Sequence, residues 1–125
     1  MIVYCCCDLI FATKVGSTAQ ALGYAARPAR NLEALQRRLD RVDDGRPNDP
    51  VTAVMIDLEL GPVGLELLDR TKAHDTAIPV VAFGSHVAVE VLEEARAAGA
   101  DFVMPRSQFV TQLPALVQRF AGPRT

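Results

Sequence analysis

The chain contains four continuous apolar runs and one weaker one, each followed by a segment of helical pattern. The four continuous runs lack polar alternation, which predicts strands buried on both faces. They are Met1–Cys7, Val51–Asp57, Ile78–Phe83 and Asp101–Met104. Tyr24–Ala26 predicts a short second strand. Because strands and helices alternate five times, the pattern favours an α/β fold with a parallel sheet, right-handed crossovers and helices on both faces.

Two helices are predicted in the first half of the chain. Thr13–Leu22 has helical character, and Gly23 is a typical residue to end it. Asn31 is predicted to cap a second, amphipathic helix, NLEALQRRLDR. The apolar face of this helix consists of Leu32, Leu35 and Leu39. Asp43–Pro50 has the turn-rich composition of a loop.

Three more helices are predicted in the second half. One consists of GLELLDRTK. Another begins at Ser85 or His86 and runs through VAVEVLEEARAAG, with Ser85 as its expected cap. The last helix is predicted at about Thr111–Phe120, which places Pro114 in its first turn, where proline is tolerated. An apolar face expected to pack on the sheet consists of Phe109, Leu113, Leu116, Val117 and Phe120.

Composition narrows the class of protein. The 125 residues suit one domain, which we expect to span residues 1–125, and half of them are hydrophobic. The net charge of -2 and the scattered Lys and Arg argue against a nucleic-acid binder. No apolar run reaches the roughly 18 residues of a membrane span, and the N-terminus does not resemble a secretory signal. We therefore expect a cytoplasmic protein that contacts neither nucleic acid nor membrane.

Three consecutive cysteines, Cys5, Cys6 and Cys7, end the first apolar run. A structural metal site usually needs four soft ligands from separated pairs, whereas His74 and His86 are the only histidines and lie far along the chain. Neighbouring strand residues face opposite ways, so Cys5 and Cys7 are expected on one face and Cys6 on the other. We interpret the run as small buried hydrophobes, with Cys7 the best candidate for a reactive thiol.

Polar or unusual residues stand where the predicted strands end. These positions are Cys6–Asp8, Asp57, Gly84–Ser85 and Met104–Arg106. In sheets of this class function gathers at the carboxyl ends of the strands, near the switch in strand order. A candidate site is therefore expected at this edge.

The segments VMIDLELGPVGLELL, IPVVAFGSH and AGADFVMPRS, in this order, resemble the receiver domain of bacterial two-component response regulators. The resemblance covers nearly the whole chain. It implies a flavodoxin-like, doubly wound sheet of five parallel strands in the order 2-1-3-4-5, with five helices. It also implies that Asp57 is the phospho-acceptor position, served in the family by Mg²⁺, an acidic pair, a Thr or Ser, and a Lys.

The acidic pair of the family is missing here. Its positions fall on Cys6 and Cys7, and Asp8 follows one residue later. Mg²⁺ requires several oxygen ligands, so at least one metal-binding carboxylate is lost. No metal or other cofactor is expected; if any ion bound, Asp8 and Asp57 would be its ligands.

The two remaining functional positions also depart from the family. The Thr or Ser position falls on Gly84, with Ser85 one residue later, and the Lys position falls on Arg106. Arg keeps the charge but prefers carboxylate partners. Because an unpaired buried carboxylate is unfavourable, we predict an ion pair between Asp57 and Arg106.

These departures predict a pseudo-receiver: a signalling domain, not an enzyme, that acts by binding a protein partner or a second copy of itself. By resemblance, the contact surface would lie on the fourth and fifth helices. One alternative is a working receiver that a histidine kinase phosphorylates on Asp57, with Mg²⁺, Asp8 and a shifted Ser85. A second alternative is a flavodoxin-like binder of small molecules, for which only Gly16 and Ser17 suggest a phosphate-binding loop.

Overall fold

The computed structural model describes residues 1–43, 46–47 and 49–120. Its main sheet contains five parallel strands, in the order β2-β1-β3-β4-β5. The strands are β1 Ile2–Cys5, β2 Ala26–Pro28, β3 Ala53–Asp57, β4 Val80–Gly84 and β5 Phe102–Pro105. The predicted fold class and strand order are confirmed.

Five α-helices connect and follow these strands. They are α1 Leu9–Leu22, α2 Leu32–Leu39, α3 Pro62–His74, α4 Val89–Ala97 and α5 Arg106–Phe120, and a short 3₁₀ turn, Leu58–Leu60, precedes α3. None of the helices in the described ranges combines the length and the apolar character that crossing a membrane requires. Val42–Asp43 and Arg46–Pro47 form a small antiparallel pair inside the predicted loop, of which residues 44, 45 and 48 lie outside the described residues.

Each face of the sheet carries its own core, which explains why the strands read as continuous apolar runs. One core, between the sheet and α2, α3 and α4, includes Cys5, Leu35, Leu67, Leu68 and Leu92. The other, between the sheet and α1 and α5, includes Cys6, Val15, Phe109, Leu113, Leu116 and Val117. The predicted apolar face of the last helix is thus buried, apart from the half-buried Phe120.

Helix ends were predicted well where a single residue decides them. Gly23 ends α1 in a left-handed conformation with φ of 83°, which favours glycine. Asn31 caps α2, since its side chain accepts a hydrogen bond from the Ala34 N–H at 2.8 Å. The second strand, however, is Ala26–Pro28 and not Tyr24–Ala26.

Three predicted helix starts were wrong. Helix α1 begins at Leu9, because the Asp8 carboxylate caps it by accepting the Phe11 N–H at 2.9 Å. Helix α4 begins only at Val89, after Ala88, with no side-chain cap. Ser85 does not cap it: the Ser85 hydroxyl accepts a long bond of 3.4 Å from the Val87 N–H within the loop.

The last helix begins at Arg106, directly after β5, and not near Thr111. Pro114 therefore lies inside the helix and not in its first turn. Proline there removes one helical hydrogen bond. The helix continues past it because Leu113, Leu116 and Val117 are buried against the sheet on either side of the exposed Pro114.

The three cysteines occupy three different environments. Strand β1 ends at Cys5, two residues earlier than predicted. Cys5 and Cys6 are buried in the cores on opposite faces of the sheet, as strand alternation predicted, whereas Cys7 is exposed beyond the strand.

We expect a thiol reagent to label one cysteine of the native protein, because only Cys7 is exposed. Intact-mass measurement should show one adduct in native buffer and three after denaturation. In the Cys7→Ala variant native labelling should disappear. Rapid native labelling of two or three thiols would contradict the placement of Cys5 and Cys6.

Lys72 joins the end of α3 to the turn before β5. Its Nζ lies 2.7 Å from Asp101 Oδ2 and donates to the carbonyls of Ile78 and Thr76 at 2.8 and 3.2 Å. Asp101 also accepts the Val80 N–H at 2.8 Å. Burial tends to raise the pKa of Asp101, but the hydrogen bonds from Lys72 and Val80 outweigh it and hold this pKa below the ordinary 3.8.

Replacing Lys72 with Met should lower the free energy of unfolding by about 1–3 kcal/mol, because it removes a largely buried donor from three oxygens. Because the folded-state pKa of Asp101 is lowered, the ion pair stabilises at neutral pH and this contribution is lost as pH falls through that pKa. Urea titrations at neutral and acidic pH should therefore give a difference from wild type that narrows in acid. Arg37→Met, which breaks an exposed pair with Glu33, is the control and should change stability by only a few tenths of a kcal/mol.

Candidate functional site

Asp57 is the last residue of β3, and its side chain is fully buried. Its Oδ1 accepts the Glu59 N–H at 3.0 Å, which caps the 3₁₀ turn that follows the strand. Its Oδ2 accepts the Cys7 N–H at 3.2 Å, from the loop after β1. Backbone groups of two loops therefore hold the carboxylate at the carboxyl edge of the sheet.

The predicted ion pair between Asp57 and Arg106 is confirmed. Arg106 begins α5, and its Nη2 lies 2.8 Å from Asp57 Oδ2. The contact is monodentate. The Arg106 side chain is 29% exposed, whereas its Nε is buried and has no hydrogen-bond partner among the described residues.

Aromatic rings fix the guanidinium from the other side. The Arg106 Cζ lies 4.4 Å from the centroid of the Phe11 ring on α1. Phe11 in turn stacks on Phe83 of β4 at 5.7 Å, and Phe83 stacks on Phe109 of α5 at 3.8 Å. Cation–π contact of this kind favours Arg over Lys, because the planar guanidinium can lie on a ring face.

Cys6 and Cys7, at the positions that the resemblance assigns to an acidic pair, carry thiols and no carboxylate. Burial, and after it the carboxylates of Asp57 and Asp8, raise the pKa of the Cys6 thiol to about 12 against the opposing charges of Arg106 and Arg30. Cys6 therefore remains a neutral thiol at physiological pH.

The other two residues around the acidic-pair positions have structural roles. Cys7 contributes its backbone N–H, and the Asp8 carboxylate caps α1. In the alternative that uses Asp8 as a metal ligand, the same carboxylate would have to give up its role as the cap of α1.

Gly84 ends β4 in close contact with Leu58. A Cβ atom there would lie 3.3 Å from the Cβ of Leu58, the buried residue after Asp57. Ser85 lies in the next loop, and the hydrogen bonds of the described residues do not connect it to Asp57. The position that carries a hydroxyl in the family is therefore filled by apolar packing.

This donor set does not fit Mg²⁺. A hard cation needs several oxygen ligands, but both oxygens of Asp57 already accept hydrogen bonds, and a guanidinium shares one of them. The described residues also contain no cluster of three or more His, Cys, Asp or Glu side chains that would hold a metal. In this arrangement the Arg106 guanidinium, held by the Phe11 ring, neutralises the buried carboxylate of Asp57.

Gly16 does not form a phosphate-binding loop. It lies within α1, and a Cβ there would come within 3.2 Å of the Tyr4 hydroxyl. Close packing of α1 on β1 therefore explains this glycine, and Ser17 donates to the Thr13 carbonyl within the same helix at 2.6 Å.

Sequence reasoning missed Phe11 and the two backbone donors of the site. Phe11 was predicted to precede the first helix. Asp8, a typical capping residue directly before an apolar segment, was the sequence signal that would have moved the helix start to Leu9. The Cys7 and Glu59 N–H groups carry no side-chain signature at all.

Comparison with known proteins gives structural similarity only. No protein-family model and no curated protein sequence matches the chain. The receiver domain of NtrX from Brucella abortus superposes with a TM-score of 0.76 at 20% identity, over 95% of this chain and 96% of that one. A response regulator from Thermotoga maritima gives 0.74 at 17% identity, over 95% and 94%.

The phosphorylated cyanobacterial phytochrome response regulator RcpA gives a TM-score of 0.77 at 13% identity, over 95% of this chain and 91% of that one. These similarities extend over almost the entire length of each compared chain. They agree with the strand order and the five helices. The chain therefore has the fold of the response regulator receiver domains.

Proposed function

We propose that this protein is a receiver-like signalling domain of a bacterial cytoplasm that acts through protein–protein contact and without Mg²⁺-dependent phosphorylation. On this proposal it is not an enzyme and needs no cofactor. The observation that carries the proposal is that the carboxylate of Asp57 is buried, hydrogen-bonded on both oxygens and paired with a cation. Three donors already satisfy it: the N–H groups of Cys7 and Glu59 and the guanidinium of Arg106.

Phosphoryl transfer depends on positioning and on neutralisation of charge by metal and cation. To accept a phosphoryl group, an Asp57 oxygen would have to leave its donors and face the phosphorus atom. Arg106 would have to withdraw from Oδ2 and from the Phe11 ring. The absence of an acidic pair leaves no metal ion to compensate for those losses.

The working-receiver alternative requires three separate rearrangements. Asp8 would have to stop capping α1, and Ser85 would have to move towards Asp57. Arg106 would have to donate to a phosphoryl oxygen in place of the Asp57 carboxylate. RcpA was crystallised in a phosphorylated form, so the fold itself permits the chemistry. The difference lies in the residues at the edge of this sheet.

On the fourth and fifth helices, where the resemblance implied a partner surface, the exposed apolar groups are unevenly distributed. Most of the apolar face of α5 is buried against the sheet. Arg119 covers the ring faces of the half-buried Phe102 and Phe120 at 4.9 and 5.4 Å. Of the fourth and fifth helices, the start of α4 therefore offers the exposed apolar groups.

Incubation with Mg²⁺ and a small phosphodonor such as acetyl phosphate should leave the intact mass unchanged, because Asp57 is buried and its oxygens are occupied. The Asp57→Asn variant should behave like the wild type. A receiver with a complete acidic pair, treated in parallel, verifies the phosphodonor.

A Mg²⁺-dependent gain of one phosphoryl group that disappears in Asp57→Asn would overturn the proposal. So would a beryllofluoride adduct on Asp57 with a divalent ion beside it in a soaked crystal.

Arg106→Met should lower the free energy of unfolding by about 2–4 kcal/mol, because it leaves a buried carboxylate without its cation. Arg119→Met is a matched control, since Arg119 also lies on aromatic rings but pairs with no buried carboxylate. Loss of that contact should cost about 0.5–1 kcal/mol.

A double-mutant cycle isolates the ion pair from other effects of the substitution. Arg106→Met combined with Asp57→Asn should be less destabilising than the sum of the single variants by more than about 1 kcal/mol. Additive losses would mean that Arg106 stabilises the fold by packing alone, and would remove the main support for a closed site.

A further inference from the structure

The exposed large hydrophobic residues of the described chain all lie at the carboxyl edge of the sheet. They are Leu9 and Ile10 at the start of α1, Val63 at the start of α3, Val89 at the start of α4 and Val87 in the loop just before it. Four of them are 60–74% exposed, and Val63 only 36%. The strongly exposed ones thus form two separate pairs.

The charges within the two helices differ in sign. Helix α1, LIFATKVGSTAQAL, contains no acidic residue and one basic residue, Lys14, which is exposed one turn after Ile10. Helix α4, VEVLEEARA, contains three glutamates. Glu93 pairs with Arg96, whereas Lys14, Glu90 and Glu94 take part in no ion pair of the described residues.

We define the α1 patch as Leu9, Ile10 and Lys14, and the α4 patch as Val87, Val89, Glu90 and Glu94. Each patch has apolar groups at the helix start and charge within about one turn of them, or roughly 6 Å along the axis. Glu90 and Glu94 are like charges at i and i+4, an arrangement that disfavours the isolated helix slightly and that a neighbouring cation relieves.

The fold places the two patches at the same edge of the sheet but on opposite faces. Helix α1 packs on one face of the sheet and α4 on the other. Both follow parallel strands, so both begin at the same edge and run in the same general direction. A second copy in the same orientation, shifted sideways, therefore brings its α4 beside α1 of the first copy with apolar ends and opposite charges aligned.

We infer that the occupant of the α1 patch is the α4 patch of a second copy of this chain, so that the protein associates head to tail. Symmetric pairing is disfavoured by charge: α1 against α1 opposes two Lys14 residues, and α4 against α4 opposes four carboxylates. A heterologous contact leaves one patch free at each end, which permits growth into longer assemblies or a ring. This inference goes beyond the proposed function, since it requires neither the presence nor the absence of phosphorylation.

Sedimentation equilibrium of the wild-type chain, from low micromolar to near-millimolar concentration, should show an average mass that rises beyond that of a dimer. Ile10→Asp blocks the α1 patch and Val89→Asp blocks the α4 patch. Both substitutions are at exposed first-turn positions, where an acidic residue suits the helix dipole, so folding should be retained. Each variant alone should associate at least about tenfold more weakly than the wild type.

An equimolar mixture of Ile10→Asp and Val89→Asp is the decisive sample. The intact α4 patch of the first variant fits the intact α1 patch of the second, so the mixture should form a dimer and stop there. Val63→Asp, the same kind of change in the first turn of α3, is the matched control and should associate like the wild type.

The charge contribution is tested separately with Lys14→Glu and Glu90→Lys. Each alone should weaken association, and the two changes in one chain should restore it, because the contact regains opposite charges. A wild type that stays monomeric throughout, a mixture that stays monomeric, or patch variants that associate like Val63→Asp would each overturn the inference.

Discussion

The buried carboxylate of Asp57 is the constraint on which the carboxyl edge depends. A charge with no solvent contact must be neutralised and hydrogen-bonded, or folding becomes unfavourable. Here the two loops after β1 and β3 provide N–H donors, and the start of α5 provides the cation. Because α5 begins immediately after β5, with no intervening loop, Arg106 lies where its side chain reaches across β4 to Asp57.

The same constraint explains the neighbouring substitutions as one set. An arginine on Asp57 needs a flat partner surface, which Phe11 provides through its stack on Phe83 and Phe109. A neutral Cys6 adds no second negative charge beside the pair. Gly84 lets Leu58 close over the end of β4. Thiol, glycine and arginine thus form a coherent apolar and cationic environment in place of a set of oxygen ligands.

Much of the fold could be predicted because the strands are buried on both faces and therefore read as uninterrupted apolar runs. The pairing of Asp57 with Arg106 could also be predicted, since Asp57 ends one strand of the parallel sheet, Arg106 directly follows another, and their charges are opposite. Helix starts were predicted poorly because they depend on local competition. Asp8, considered only as a ligand in case an ion bound, caps α1, and Ser85, expected to cap α4, forms a loop contact instead. The Phe11 contact arises from three elements packing together, and no local pattern in the sequence encodes it.

The aromatic stack has a consequence for movement at the site. It connects α1, β4 and α5 through stacked rings, and it ends on a guanidinium that is itself bound to Asp57. Packed interiors resist the displacement of single side chains. Moving Arg106 away from Asp57 would therefore also break its contact with the Phe11 ring.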